Sequence, residues 1–552
     1  MSTLTRSPRR LAIAVTLAAA AALGVAGCGD DNKTGAEPGS VASFVPATAP
    51  MYVELSTEFD GEQWTNLKAI GKKFPAFPDI EKQFAESLAS EGVDFDRDIK
   101  PLLGDDAAVA LLQAPKTEVP SIPTSTDGLS IPTPAVPSLD QQEAVGAIAL
   151  APDAEPKVVD LIKKDSSVAG KIGDVEYYKA GSDNDTLVAV TDGAVVVASR
   201  EADLRTALEA HDQGGDRTFA GNQKALDALG KLPDQVLMQA YLDIGTLIKQ
   251  GTASSEQLQS LQTLGLSPDM AMAFSLSAQP ASLSMKGVLI GANSELLAAS
   301  PAFAPTLTEK VPGDAVAYVG FQNLSGTVQR VIDTLGQTNP DVQKQLQAAA
   351  GQIPLLLGGA TLDDLKALGE GEHAVVVSKG AAAPVGSILL QVKDGAQAKK
   401  ALDGLANALP LVAGQIRSGA DVPAWKPVTE AGNEGRQLPL DPRFGVVYGV
   451  KDNLAVVGTQ PSSLGLLNTP VTSLAKDADF VAAVAGMPDE VTSLAWVDVQ
   501  GAVEVADSLG AFKNADENAQ KVRENLGPLK SLVMWSTVED GTPTVEAFLA
   551  IK

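Results

Sequence analysis

The sequence has one cysteine and two histidines, and only 4% of its residues are aromatic. A single thiol excludes an intrachain disulfide framework, and two imidazoles exclude a His-rich metal cluster. No Gly-x-Ser-x-Gly elbow, Gly-rich phosphate loop ending in Lys-Ser/Thr, His-Glu-x-x-His pair or Cys pair occurs. Positive charge is scarce: 42 Lys and Arg stand against 68 Asp and Glu, a net −26. So acidic a surface repels phosphate backbones, and no nucleic-acid partner is expected. The apolar run Leu11 to Val25 holds 15 residues. As a helix it reaches ~22 Å, short of the ~30 Å bilayer core. What remains is ordinary globular composition, 45% hydrophobic and 20% charged, in a chain of 552 residues, long enough for several domains.

Residues 1–28 nevertheless carry an address. Arg6, Arg9 and Arg10 precede the apolar run, and small residues follow it up to the lone cysteine, in Val25-Ala26-Gly27-Cys28. This pattern resembles the lipobox of bacterial lipoproteins, cut before a cysteine whose sulfur carries diacylglycerol. An ordinary cleaved signal or a start-anchor helix is the alternative. The lipobox reading makes residues 1–27 a signal peptide, Cys28 the lipidation site and the membrane the partner held by that anchor; several acyl chains give stable anchorage where one does not. Residues 28–43 lack apolar periodicity and read as a flexible tether with a mean reach of ~20 Å.

Beyond the tether the chain matches itself. Val45-Pro46-Ala47-Thr48-Ala49-Pro50-Met51-Tyr52-Val53 resembles Val311-Pro312-Gly313-Asp314-Ala315-Val316-Ala317-Tyr318-Val319. Leu103-Gly104-Asp105-Asp106 matches Leu368-Gly369-Glu370, and the hairpin around Asp192-Gly193 matches that around Asp452-Asn453. Leu232-Pro233-Asp234 and Asp243 match Met487-Pro488-Asp489 and Asp498. The reading is a tandem duplication, with α+β repeats over 44–295 and 305–552. Each copy reads as an apolar strand (51–56; 315–322), a helical stretch (60–103; 324–368) and two strands (106–113 and 144–151; 373–378 and 385–392). An amphipathic helix (154–164; 395–407), a hairpin, further helices and a closing pair of strands (269–290; 529–551) complete it. Successive strands joined by hairpins predict a mainly antiparallel sheet, and helices in blocks predict that they cover one face of it. The first copy alone carries a Pro-rich loop, 115–143, which reads either as a tolerated insertion or as a partner-binding segment.

The Val-Pro-x-x-Ala…Tyr-Val opening, the run Asp98-Ile99-Lys100-Pro101-Leu102-Leu103-Gly104 and the strand pairs after them are similar to the bacterial family named domain of unknown function 3352, over 44–551. That resemblance implies a lipoprotein or membrane-anchored protein. It implies no activity, cofactor or catalytic residue.

Candidates for chemistry are few. His211 is expected at a helix C-terminus and His373 at the start of a strand, each on the surface, and either could act as a lone general base. Asp94, Asp96, Asp98 and Asp105 have the alternation of a Ca²⁺ loop, but Ile99 stands where the turn needs Gly, so helix capping is the preferred reading. Asp243 and Asp498 are expected as N-caps, and Tyr52 and Tyr318 as partly buried strand residues. No catalytic, cofactor or metal residue is assigned. The expected function is a non-catalytic extracytoplasmic lipoprotein, lipid-anchored at the cell membrane and serving as a binding or scaffold module. The alternatives are a carrier of an apolar ligand such as a lipid, and an envelope hydrolase with an acidic site.

Overall fold

The computed structural model describes residues 38–90, 92–113, 143–180, 186–250, 269–292, 301–326, 329, 359–380, 383–416, 424–441, 445–513 and 517–552. Cys28, the signal peptide, most of the tether and the Pro-rich loop up to residue 142 lie outside them, as do most of the helical residues expected over 324–368. The chain forms two compact units whose main boundary is Gly291/Ala292.

Among its described residues the first unit has ten strands: β1 Met51–Ser56, β2 Leu103–Leu111, β3 Ala144–Leu150, β4 Val168–Ile172, β5 Val175–Ala180, β6 Thr186–Thr191, β7 Ala194–Ala198, β8 Met238–Leu242, β9 Ala271–Gln279 and β10 Ser282–Ile290. Within the unit they pair in the order β4-β5-β6-β7-β3-β2-β1-β8-β9-β10, each neighbour antiparallel. Helices α1 Glu62–Gly71, α2 Phe77–Ser90, α3 Glu155–Asp165, α4 Glu201–Gln213, α5 Gln223–Leu229 and α6 Ile244–Gln250 join them.

The central strands read as nearly continuous Ala and Val because both faces of the sheet are covered, which corrects the expectation of one covered face. On β3, Ala147 belongs to one buried cluster with Leu204 and Leu208 of α4 and Ala228 of α5. Its neighbour Ile148 points the other way, to Val158 and Ile162 of α3. Those two residues are the buried stripe of α3, four apart behind Pro156, while Leu161 faces outward. The turn between β6 and β7 holds Asp192 at φ +48° and Gly193 at φ +73°, the left-handed pair that a two-residue hairpin requires.

The second unit has the same plan. Its strands are β11 Ala315–Gln322, β12 Glu372–Ser378, β13 Val385–Gln391, β14 Lys426–Glu430, β15 Asn433–Pro439, β16 Gly445–Lys451, β17 Leu454–Gly458, β18 Ser493–Asp498, β19 Leu529–Glu539 and β20 Thr542–Ile551. They pair in the order β14-β15-β16-β17-β13-β12-β11-β18-β19-β20, again antiparallel. Among the described residues its helices are α7 Leu362–Leu368, α8 Gly395–Ile416, α9 Ala478–Ala483, α10 Val499–Ser508 and α11 Glu517–Leu526. Here the second face is only partly covered: Leu389 shares a buried cluster with Leu307, Leu464 and Phe480, and Leu390 on the other face shares one with Ala398 and Leu402 of α8, while Val319, Val375, Ile388 and Met534 stay exposed.

The outer hairpins β4–β5 and β14–β15 were not anticipated. Their edge strands, Val-Ala-Gly-Lys-Ile and Lys-Pro-Val-Thr-Glu, are short and largely exposed. Edge strands tolerate Gly, Pro and charge, so they lose the apolar alternation that marks a strand in sequence.

Candidate functional site

Each unit buries a carboxylate where the chain enters its sheet. In the first, a short 3₁₀ turn, Ser40–Phe44, leads into β1. Ser40 Oγ donates to Asp106 Oδ1 at 2.9 Å, and the Val41 N–H donates to Asp106 Oδ2 at 2.9 Å. In the second, the 3₁₀ turn Thr306–Glu309 precedes β11. Thr306 Oγ1 donates to Glu372 Oε2 at 2.6 Å, and the Leu307 N–H donates to Glu372 Oε1 at 2.9 Å. Register makes the two positions equivalent, since Asp106 lies opposite Ser56 on β1 and Glu372 opposite Gln322 on β11. The pairs 40/306, 41/307, 56/322 and 106/372 are all 266 apart (372 − 106 = 266).

Tyr52 and Tyr318, also 266 apart, each lie in the buried apolar cluster of their own unit and are fully buried rather than partly so. Tyr318 OH lies 3.4 Å from Glu372 Oε1. Tyr52 OH donates to Glu54, which also accepts the Gly39 N–H at 2.8 Å and Gln239 Nε2 at 3.1 Å. Burial raises the proton affinity of Glu54; the donors Tyr52, Gly39 and Gln239 oppose it, and the Asp106 charge adds to it. Burial likewise raises Glu372 against its donors, and both tyrosines are pushed well above the ordinary phenol value by burial first and the neighbouring carboxylates second. Glu54 and Asp106 lie close together in the first unit, each accepting from backbone and side-chain donors. They tie the entering chain to the sheet.

The other candidates separate. His211 lies in the last turn of α4, half-buried, stacked on Phe44 at 3.8 Å, with Nδ1 3.1 Å from Ser43 Oγ and Nε2 3.2 Å from Asp192 Oδ2. His373 is not on the surface: it is 0% exposed, edge-on to Phe321 at 5.5 Å. Asp94 caps its turn by accepting the Arg97 N–H at 2.9 Å. Asp98 accepts the Asp94 N–H at 2.9 Å and both arms of the Arg97 guanidinium, which hold its carboxyl down at about 2. Asp243 accepts the Thr246 N–H at 2.8 Å as an N-cap and pairs with Lys224 at 2.9 Å. Asp498 occupies the cap position of α10, but its side chain makes no capping bond. Among the described residues no three His, Cys, Asp or Glu side chains converge as a metal site, and no helix is long and apolar enough to cross a membrane.

The model for "Protein of unknown function (DUF3352)" matches residues 11–551. The chain belongs to the DUF3352 family. No curated protein matches this family member. Among solved structures, crystal forms I, III and IV of TP0453 align at 12% identity and a TM-score of 0.22. They cover 48%, 46% and 45% of this DUF3352 chain and 88%, 80% and 79% of their own. A likeness that slight carries no argument.

Proposed function

We propose that this DUF3352 protein is an extracytoplasmic lipoprotein, anchored through Cys28 and acting without catalysis as a binding or scaffold module at the cell envelope. One observation carries this: Val25-Ala26-Gly27-Cys28 places the sole cysteine directly behind an Arg-led apolar run. In support, the acids gathered in the described core are committed to holding backbone. We also infer that the two units descend from one duplicated domain. Supporting this are their identical strand orders and the carboxylate staples 266 residues apart. Mass spectrometry of the mature N-terminal peptide tests the anchor: it should begin at Cys28 and carry diacylglycerol. A mature chain starting elsewhere, or an unmodified thiol, contradicts the reading.

A second reading, carriage of an apolar ligand, has one observation of its own. Val319, Val375, Ile388 and Met534 are 40%, 37%, 42% and 42% exposed and lie in one cross-strand row, with Ala495 between Val319 and Met534. The first-unit equivalent of Val319, Val53, is only 8% exposed. Native mass spectrometry that retains an apolar adduct, lost on Val319→Glu, supports this reading; an adduct-free chain argues against it.

A further inference from the structure

Position 107 on β2 and position 373 on β12 are equivalent by register: Ala107 faces Leu55, and His373 faces Phe321. The first unit places a methyl group there and the second an imidazole that is 0% exposed. Neither ring nitrogen has a hydrogen-bond partner of good geometry, although backbone groups of Gly369 and Glu372 lie near enough to offset part of the burial. A neutral ring fits this place as a small aromatic against Phe321. An imidazolium there is a buried charge without a counter-ion.

Apart from those backbone groups, no acid among the described residues faces the ring to compensate it. β11 and β13 present Phe321 and Leu390 across the ladder, neither of which titrates. Glu372, next in β12, turns its carboxylate to the opposite face, toward Thr306 and Leu307. At α7, Asp364 pairs with Lys400 at 2.8 Å, and after it Glu370 pairs with Lys393 at 2.9 Å.

We infer that His373 is an acid-triggered switch built into the second unit and absent from the first: taking up a proton forces the ring out of the core and loosens the β11–β12 pairing. Burial lowers the ring's proton affinity below the ordinary value of 6.5, so the unfolded chain binds the proton first and stability falls as pH drops below 6.5. Glu372 works in the opposite sense, because its affinity is raised above 4.5. The histidine is therefore read as a difference between parent and variant. The inference is independent of the lipid anchor.

The test uses the full chain carrying Trp64→Phe, in which emission comes only from Trp425, Trp496 and Trp535 of the second unit. Urea unfolding is followed from pH 7.5 to 5 with His373 and with His373→Ala, the residue of the first unit. The histidine chain should lose up to about 30-fold more in its folding equilibrium constant over that range than the alanine chain, the limit for one group whose ring stays neutral in the folded state. Equal slopes overturn the inference. NMR titration of the parent chain decides the matter even where the variant folds poorly. It has two imidazoles, assigned with His211→Asn, and the His373 ring should remain neutral at pH values where free imidazole is half protonated. A His373 ring titrating at 6.5 or above in the folded protein overturns the inference.

Discussion

The Val41 N–H meets Asp106 Oδ2 at 2.9 Å across 65 residues of chain, in a buried contact where water cannot substitute for either partner. An unmade hydrogen bond in such a place costs more than a made one contributes. Asp106→Ala leaves both the Val41 N–H and the Ser40 hydroxyl without their acceptor. It should destabilise the first unit by about 2–3 kcal/mol and leave the second unit unchanged. Urea unfolding followed at Trp64 and at the second-unit tryptophans separates the two; an equal effect on both, or none, contradicts this assignment.

Glu54 sets a pH dependence of unusual sign. Its proton affinity is raised in the folded state above the ordinary 4.5, so its contribution is fully present below pH 4.5 and is lost as pH rises through the folded value. Glu54→Gln should flatten that part of the stability profile. Unfolding midpoints of parent and variant between pH 4 and 7 check this, and parallel profiles would refute it.

The outline of each sheet was legible because its central strands are largely apolar: β1 and β11 fall on the residues expected, 51–56 and 315–322. The staples were not. Aligning Leu103-Gly104-Asp105 with Leu368-Gly369-Glu370 sets Glu370 against Asp105, an offset of 265, whereas the strand registers make 106 the equivalent of 372. The second unit carries one extra residue, Gly371, before its acid, and an acid that is Asp in one unit and Glu in the other leaves no shared letter to find. His373 was misplaced for a related reason. Its cross-strand partners Phe321 and Leu390 are neighbours only across the ladder.

The two candidate cap residues should separate on mutation. Asp243→Ala removes the acceptor of the Thr246 N–H and the partner of Lys224, and should cost about 1–2 kcal/mol. Asp498→Ala removes no capping bond and should stay within about 0.5 kcal/mol. Thermal unfolding of both variants decides; equal losses would contradict the difference.

Gly193 has open space where a Cβ would stand, so its requirement is conformational. At φ +73°, Gly193→Val should cost roughly 1–2 kcal/mol through backbone strain alone. Gly193→Asn, which tolerates the left-handed region, should recover most of that loss in the same unfolding assay. If Asn and Val prove equally harmful, packing rather than the turn is responsible.

The central claim is anchorage through one sulfur, and fractionation of cells expressing the parent and Cys28→Ser tests it most directly. The parent should sediment with membranes and enter the detergent phase, while the serine chain keeps its apolar leader uncut and runs at higher mass. Identical mass and identical partitioning of the two would contradict the account.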